Sequence, residues 1–569
     1  MVSIIKKVKN GRAYYYAARS ARVNGKPRIT WQKYLGSVEG IIERCQQNLA
    51  PLPSETALFE AGGVAMLLKL AERLGLIDLI NEEVPKRDQG PSVGHYIVLA
   101  ALNRALDPTS KCQIGEWYHE TVLQRLWNFD QEMFSSKRFW DHMDMVSERA
   151  IQRVQDRLGE RVRKEFSINT QPLLYDSTNF FTFIDTHNDR NTIAQRGHNK
   201  QKRTDFRQVN LALLATRDFQ IPLFHKLYRG DVPDVKSFPE VTRDLLRRHK
   251  AIFGDLTDAT LVFDKGNLSE ESREKLLYSK TYFVAAAKAD LAPEILTAPL
   301  NQFQSLPLHP GTRVYETTIE LSGKTCKALA VYSDSFFTEQ LASLSATMAK
   351  CQDKLKELQK QLLSWSDAKK NPRKKSRGPR PVMAKIRERV KDILSPQYMK
   401  DVFSFSLENI EGIPYLRYTT NKPEIDRLIT SRLGRTLLIT NRKNWLPPEI
   451  VTAYRSLVNI EEAFKHMKNR DYLRWQPAFH WTDQKLHVHT FYCVLALLLV
   501  TLARKIACEA GHDISLHALL DDLSAIKEVA LLYPIDNGKI KAQFGLSKMT
   551  PRQKKLGELF NIGDILVTG

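Results

Sequence analysis

Cysteine is scarce in this chain, and its few copies are too dispersed to bind a metal together or to form a disulfide framework. The six cysteines are Cys45, Cys112, Cys326, Cys351, Cys493 and Cys508. None of them belongs to a Cys-x-x-Cys pair. Small disulfide-stabilised proteins and zinc-ribbon proteins carry closely spaced cysteines, so this spacing argues against both classes.

Long apolar runs and several familiar catalytic motifs are also missing. The most apolar run, Phe491 to Ala503, has 13 residues, fewer than the roughly 18–20 that span a bilayer. The beginning, MVSIIKKVKNGRAYYY, lacks the apolar core of a signal peptide. The phosphate-binding Walker A loop and the H-E-x-x-H zinc motif are absent. We therefore expect a cytoplasmic protein without a membrane partner.

What the chain does have is length and positive charge. It has 569 residues, with 85 Lys and Arg against 64 Asp and Glu, which leaves a formal net charge of +21. At roughly 100–200 residues per domain, this length predicts three to five domains. Such an excess of positive charge is typical of proteins that bind a polyanion, and nucleic acid comes before an anionic membrane as the candidate.

Changes in the residue pattern divide the chain into five predicted regions. We place them at 1–50, 51–168, 169–289, 290–444 and 445–569. The first is basic and β-rich, with a hairpin predicted at Asn24-Gly25, and the second has helical periodicity. We expect both of these regions to bind DNA. The third alternates strands and helices, the fourth is a β-rich and helical insertion, and the fifth has a long helix from Pro448 to Asn469 before C-terminal helices. The predicted fold is multidomain α+β, with an α/β core interrupted by the insertion.

Two aspartates interrupt apolar strands of the predicted core. Asp176 lies within PLLYDSTNFFTF, and Asp264 ends the apolar run LVFD. A carboxylate buried in either place costs on the order of several kcal/mol unless it is paired or bound to a metal. A satisfied core hydrogen bond explains one such acid, whereas two acids at strand ends of one sheet favour a shared cation.

A third acid comes from the helix that begins at Pro448. At 100° per residue, the apolar arc of this helix holds Ala453, Ile460, Phe464 and Met467. Glu461 lies on the adjoining arc, at the edge of the buried face, whereas Glu462 points toward solvent. The alternative for Glu461 is an exposed i,i+4 salt bridge with Lys465.

Asp176, Asp264 and Glu461 are the candidate catalytic and metal-binding residues. Carboxylate oxygens are the ligands that Mg²⁺ prefers, and three carboxylates from two strands and one helix suit a two-ion site for phosphoryl transfer. We expect two Mg²⁺ ions per site, with Mn²⁺ as a substitute.

Three segments together resemble the DDE transposases of bacterial insertion sequences, in the branch with a β-rich insertion before the glutamate. LLYDST holds Asp176, LVFDKGNLS holds Asp264, and YRSLVNIEEAFKHMK holds Glu461. Tyr454, Glu461 and Lys468 fit that branch's Tyr-Arg-Glu-Lys spacing, while Leu457 stands where its arginine would be. The segments GHNKQKRTDFRQVNLALL and YRGDVPDVKSF also look like the family's segments after the first acid.

The resemblance implies an RNase H-like core that cleaves DNA at the ends of a mobile element and joins the freed 3′-OH to target DNA. It also implies double-stranded DNA as the partner, a DNA-bridged homodimer, and a bacterial protein that acts at the nucleoid. The residues that we expect to contact DNA are Tyr454, Lys468, Lys465, Lys200 and Arg203. A solvated charged hairpin is the alternative for the loop that holds Lys200 and Arg203, and Lys369–Arg380 is predicted to be a linker that also touches DNA.

Two other functions stay open from the sequence alone. A nuclease of the same fold would share the acids and metals but would not transfer strands. A DNA-binding protein with degenerate acids is the third possibility, although the presence of all three acids argues against it.

Overall fold

The structure, a computed structural model, is a mixed α/β multidomain protein with one large sheet. It describes residues 2–23, 26–47, 53–87, 89–199, 201–248, 259–279, 281–370, 380–535 and 539–566. The hairpin tip predicted at Asn24-Gly25, the predicted DNA contact Lys200 and most of the predicted linker Lys369–Arg380 lie outside these residues.

The strands are numbered in chain order. They are β1 Val2–Lys9, β2 Arg12–Val23, β3 Lys26–Gly36, β4 Glu55–Glu60, β5 Leu173–Thr182, β6 Arg207–Thr216, β7 Pro222–Arg229, β8 Thr260–Phe263, β9 Tyr282–Ala287, β10 Gln304–Ser305, β11 Thr312–Leu321, β12 Lys324–Ser333, β13 Phe403–Ile410, β14 Ile413–Thr420, β15 Arg435–Thr440, β16 Lys527–Ile535 and β17 Lys539–Leu546.

The helices are numbered in the same way. They are α1 Val38–Gln47, α2 Gly62–Arg73, α3 Leu76–Glu83, α4 Val93–Leu106, α5 Ile114–His119, α6 Leu123–Trp127, α7 Ser136–Asp144, α8 Glu148–Glu165, α9 Asp234–Arg247, α10 Glu270–Leu277, α11 Pro293–Leu296, α12 Asp334–Lys370, α13 Met383–Ile393, α14 Met399–Val402, α15 Lys422–Ser431, α16 Pro447–Arg455, α17 Leu457–Met467, α18 Asp483–Glu509, α19 Leu516–Ser524, α20 Pro551–Leu559 and α21 Ile562–Leu566.

The large sheet has nine strands in the order β10-β11-β12-β15-β9-β8-β5-β6-β7. Strands β5, β6 and β7 pair antiparallel, and β5, β8 and β9 pair parallel. The sequence predicted alternating strands and helices in this region, and the structure contains them. Helix α10 begins with a cap, since the Ser269 hydroxyl accepts a hydrogen bond from the Ser272 N–H.

Beyond β9 the same sheet continues into the segment predicted as an insertion. Strand β15 pairs antiparallel with β9, and β12 pairs with β15. The long helix α12 packs with α13, β13 and β14 around a second, smaller core that includes Leu355, Leu358 and Val390. The insertion therefore adds strands to the main sheet and carries its own core outside it, while the predicted boundaries at 289 and 444 stay predictions.

The helical region at 62–165 packs around α18, which lies in the main core. In α8 the buried residues Ile151, Val154, Leu158 and Val162 recur every three or four positions, so one face of the helix meets the core. Helix α18 is long and apolar enough to cross a membrane by length and composition, but 94% of its most apolar window is buried inside the protein. The apolar run is thus explained by the position of α18 as the central helix of the core.

Two features differ from the sequence prediction. The helix predicted from Pro448 to Asn469 is two helices, α16 and α17, which are separated at Ser456. The C-terminal region also contains strands as well as helices, because β16 pairs with β17 and with the distant strand β4. The small sheet β17-β16-β4 joins residues that are more than 450 positions apart in sequence, and local periodicity carries no information about such pairing.

The N-terminal strands form a separate sheet, β1-β2-β3. Residues 1–36 contain nine basic residues and no acid: Lys6, Lys7, Lys9, Arg12, Arg19, Arg22, Lys26, Arg28 and Lys33. Most of the described side chains of this sheet are exposed, and Ala18 is buried. The predicted basic β region therefore exists as a small, solvent-facing sheet with one sign of charge.

Candidate active site

Asp176 and Asp264 occupy matching positions on neighbouring parallel strands. Strand β5 pairs with β8 through Leu173 with Leu261 and Leu174 with Val262. Asp176 lies two residues beyond Leu174 on β5, and Asp264 lies two residues beyond Val262, just after the end of β8. The sequence proposed that the two acids share one sheet, and both follow the same end of the paired segment.

Tyr454, near the end of α16, forms a hydrogen bond with the second aspartate, Asp264. Its hydroxyl donates a hydrogen bond of 2.9 Å to Oδ1 of Asp264. Burial raises the pKa of Tyr454, and the adjacent Asp264 carboxylate raises it further. The phenol therefore stays protonated and acts as a donor to the carboxylate. The sequence assigned Tyr454 to DNA, and its partner within the protein is a candidate catalytic acid.

Asp176 and Glu461 face the same cavity, which has a volume of about 680 Å³. The acid Asp264 and the neighbouring acid Glu462 do not line it. The lining residues come from β5, β6, the loops around 198 and 232, and α17. They are Asp176, Ser177, Thr178, Asn179, His198, Asn199, Gln201, Asn210, Gly230, Asp231, Val232, Pro233, Asp234, Glu461, Phe464, Lys465 and Lys468.

Helix α17 presents one acid and two lysines to this cavity. Its buried residues Ile460, Ala463, Phe464 and Met467 pack inward, and Glu461, Lys465 and Lys468 lie on its exposed side. The i,i+4 ion pair between Glu461 and Lys465, which was the alternative explanation for the glutamate, is not formed by these two described side chains. Glu461 is thus left facing the cavity, as the edge of the helix predicted.

Lys468 reaches across the cavity to the strand that carries Asp176. Its Nζ donates a hydrogen bond of 2.6 Å to Oγ1 of Thr178 and lies 5.2 Å from the ring centroid of Phe180. The ammonium group is thereby held two residues along β5 from the first acid. A cation held at this position suits a phosphate close to Asp176.

The chemistry of the three acids suits Mg²⁺, but their positions do not yet form a complete metal site. Asp176 and Asp264 are hard oxygen donors on neighbouring strands of one sheet, which suits a divalent cation. Among the described residues, however, no three His, Cys, Asp or Glu side chains lie close enough together to hold a metal ion. Glu461 shares the cavity with Asp176, whereas Asp264 does not line it.

A group of buried amides shapes the wall of the cavity, and the sequence analysis assigned no role to it. Gln208 is 1% exposed, and its Nε2 donates to the carbonyl of Gly230 at 2.8 Å. Its Oε1 accepts a hydrogen bond of 3.1 Å from Nδ2 of Asn199. Asn210 in turn donates to the carbonyls of Arg229 and Val232 at 3.1 and 3.0 Å. These bonds hold the loops at 197–203 and 229–232 against strand β6.

Two glycines allow those loops to approach so closely. A Cβ on Gly230 would lie 1.9 Å from the carbonyl oxygen of Gln208, and a Cβ on Gly197 would lie 2.1 Å from that of Gly230. Any side chain at either position would displace backbone. Both glycines belong to the segments GHNKQ and YRGD that resemble the transposase family, which is the one sequence signal that pointed to this wall.

The cavity contains two further acids that the sequence analysis did not single out. Asp231 forms an ion pair with Arg229, with an Nη2–Oδ2 distance of 2.8 Å, and the arginine lowers the pKa of Asp231. Asp234 accepts a hydrogen bond of 2.6 Å from the hydroxyl of Tyr228. Asp234 is the first residue of α9, and Asp231 lies three residues before it. Negative charge is favoured near a helix N-terminus.

Two arginines of the basic loop after β5 form contacts within the protein. Arg203 is exposed, pairs with Asp205 at 2.6 Å, and places its guanidinium 4.5 Å from the ring centroid of Phe206. Arg207 donates to the carbonyls of Asn188 and Thr186. Arg203 is thus placed at the surface, whereas Arg207 holds the loop together.

Comparison with known proteins yields distant structural likeness without a match in sequence. No family model matches the chain, and no curated protein is matched in sequence. A piggyBac transposase solved as a synaptic complex with hairpin DNA is 8% identical, with a TM-score of 0.36 over 83% of this chain and 82% of that chain. That score is below the level at which two chains share a fold, so the inferences that follow depend on the residues themselves.

Proposed function

We propose that the chain is a DNA transposase of the DDE type, which cleaves phosphodiester bonds at the ends of an insertion sequence and transfers the freed ends into target DNA. The observation that carries this proposal is the cavity that brings Asp176 on β5 together with Glu461, Lys465 and Lys468, while Asp264 follows β8, the parallel neighbour of β5. Acids and cations together suit a reaction on a phosphodiester.

The strand order supports an RNase H-like core. Three antiparallel strands, β5 to β7, are followed by β8 and β9, which lie parallel on the other side of β5. The first acid then sits on the central strand and the second at the end of its parallel neighbour, and the third comes from a helix after the insertion.

The acids of the proposed site would bind metal ions, and its lysines would bind phosphates. Asp176 and Asp264 would hold divalent cations, with Tyr454 orienting the second carboxylate, and Glu461 would complete the site from α17. When bound, two Mg²⁺ ions, or Mn²⁺ in their place, would supply activation of the attacking oxygen and stabilisation of the leaving oxygen. Lys465 and Lys468 would bind the phosphates on either side of the scissile bond.

Positive charge supports double-stranded DNA as the partner. The net charge is +21, and the acid-free N-terminal sheet provides phosphate contacts that do not depend on sequence. Two copies of so basic a chain repel each other, whereas duplex DNA with one charge per roughly 1.7 Å neutralises both. We therefore propose a homodimer that is bridged by DNA and is largely monomeric without it.

The test is an assay on linear DNA that carries the sequences flanking the gene, with Mg²⁺ and a target plasmid. A transposase produces breaks at the element ends and covalent joints between those ends and the plasmid. Breaks without joints would identify a nuclease of the same fold, and binding without breaks would identify a DNA-binding protein. Light scattering with and without end DNA tests the assembly, and a stable dimer in DNA-free buffer would contradict it.

A further inference from the structure

A patch of exposed aromatic side chains lies beyond the cavity, where strand β5 ends. Phe183 is 43% exposed, Phe479 is 57% exposed and Trp481 is 62% exposed. The ring centroids of Phe183 and Phe479 are 5.6 Å apart, and those of Phe183 and Phe206 are 5.3 Å apart. We call Phe183, Phe206, Phe479 and Trp481 the aromatic platform. Large exposed apolar surfaces are uncommon and mark binding sites.

The two segments that carry the platform are fastened to each other. The N–H of Phe183 donates to the carbonyl of Ala478 at 2.9 Å. The Nδ2 of Asn188 donates to the carbonyl of Trp481 at 3.0 Å, and the Asp483 carboxylate accepts a hydrogen bond from the N–H of Ile193 at 3.0 Å. The rings are therefore presented on a connected surface rather than on independent loops.

Positive charge borders the platform. Residues 183–207 contain six basic residues and three acids. The Arg203 guanidinium stacks over Phe206 at 4.5 Å from the ring centroid, while Arg190, Arg196 and Lys202 are exposed on the same loop. Aromatic faces with cations beside them are the combination by which proteins bind single-stranded nucleic acid, since bases stack on the rings and phosphates meet the cations.

The platform is connected to the cavity by a single strand. Phe183 is seven residues after Asp176, which spans about 23 Å at roughly 3.3 Å per residue. The same loop contributes His198, Asn199 and Gln201 to the cavity wall. A DNA strand that leaves the cavity can therefore reach the rings within a few nucleotides.

We propose that the aromatic platform binds unpaired nucleotides of a DNA strand that extends from the cavity, by stacking bases on Phe479 and Trp481. This inference rests on the proposed function in one respect: the strand is that of the DNA cleaved in the cavity. The competing occupant is a second copy of the chain, and the net charge of +21 on each copy opposes that contact at a patch bordered by arginines.

The test measures binding of three probes: a blunt duplex, the same duplex with a six-nucleotide tail, and the tail alone with 2-aminopurine in place of one adenine. Asp176→Asn is the background, so that cleavage does not alter the probes. Stacking on the platform quenches the 2-aminopurine. Trp481→Ala and Phe479→Ala should weaken binding of the tail and the tailed duplex by about five- to a hundredfold, and leave the blunt duplex unaffected.

Two variants control for folding and for the loss of any exposed ring. Trp481→Phe keeps an aromatic face and should retain most of the quenching. Phe544→Ala removes a ring that is 38% exposed on β17, outside the platform, and should bind all three probes as the background does. Equal affinity of Trp481→Ala and the background for the tailed duplex would overturn the proposal. So would a change in oligomeric mass without any change in tail binding.

The outcome is separable from that of the proposed function. If the unsubstituted chain cuts no DNA but its platform still quenches the tail, the transposase proposal fails and the platform stands. If the chain cuts and joins DNA while the platform variants bind tails normally, the platform alone is wrong.

Discussion

Two groups of polar side chains lie at opposite extremes of exposure in this protein. The cavity mixes the acids Asp176 and Glu461 with the cations Lys465 and Lys468, all within reach of solvent. The second group, which we call the buried basic cluster, lies around α18. It comprises Arg104, Lys111, His480, His489 and Tyr492, which are between 0% and 8% exposed.

The buried basic cluster contains cations and no acid. Lys111 donates to the Tyr492 hydroxyl, which also contacts Nδ1 of His489. Arg104 donates to the carbonyls of Arg474 and Thr109 at 3.2 and 3.0 Å. Within the described part of the chain neither cation forms an ion pair with a carboxylate.

Burial decides the protonation of this cluster. Burial lowers the pKa of Lys111, and the nearby Arg104 lowers it further. Burial also lowers the pKa values of His480 and His489, with added repulsion from Lys111 and Arg104. The comparison teaches that burial favours the neutral forms of Lys111, His480 and His489, whereas the cavity keeps side chains of both signs where a charged substrate can reach them.

The largest expected effect comes from substituting the three candidate catalytic acids, which leaves the buried basic cluster unchanged. Asp176→Asn, Asp264→Asn and Glu461→Gln should each reduce cleavage of end DNA on the order of a thousandfold or more, because each would remove the charge of a proposed metal ligand. Their unfolding midpoints and DNA affinities should match the unsubstituted chain. Glu462→Gln is the control, since Glu462 does not line the cavity, and it should be mild. Full activity in any one acid variant would remove that residue from the site.

The next largest effect comes from substituting residues of the buried basic cluster, which do not line the cavity. Tyr492→Phe deletes the hydroxyl that serves Lys111 and His489, and it should lower the free energy of unfolding by about 1–3 kcal/mol. Lys111→Met, which removes the buried amine itself, should cost less or stabilise the chain. Denaturant unfolding measures both. A larger loss for Lys111→Met than for Tyr492→Phe would show that the amine is a net stabilising group.

Acid should weaken the buried basic cluster. The pKa values of His480 and His489 lie well below the usual value in the folded chain, while unfolded histidine titrates near about 6.5. Below that pH the unfolded chain binds protons that the folded chain refuses, so stability falls as pH drops from 7 to 5. His480→Phe should flatten this slope in thermal melts at several pH values. An equally steep slope in that variant would place the acid sensitivity elsewhere.

The smallest expected effect tests the role of Lys468, one of the two lysines that line the cavity. Lys468→Ala should reduce the slope of log affinity against log salt concentration by about 0.9, as expected for one lost phosphate contact. Thr178→Val is the matched control, because it removes the hydrogen bond from Lys468 but keeps the charge. If Lys468→Ala leaves both the salt slope and cleavage unchanged, the lysine serves only to anchor α17 to β5.

Much of the core was predictable because its elements follow local rules. Short apolar runs predicted the strands of the core, and an acid within or at the end of such a run singled out Asp176 and Asp264. The Asn537-Gly538 pair, flanked by β-forming residues, is a hairpin signal between β16 and β17 that the predicted C-terminal helices left out. The break at Ser456 was not predictable from periodicity, since the apolar arc continues through both helices.

By itself, the sequence determined which side chains are chemically unusual: two acids in apolar strands, a glutamate at the edge of a helix, and a large excess of positive charge. Only the tertiary structure decided how they meet. The pairing of β5 with β8, the bond from Tyr454 to Asp264, and the pairing of β4 with β16 all join residues far apart in sequence. Such contacts depend on which strands pair and how helices pack, and hydrophobic periodicity leaves both undetermined.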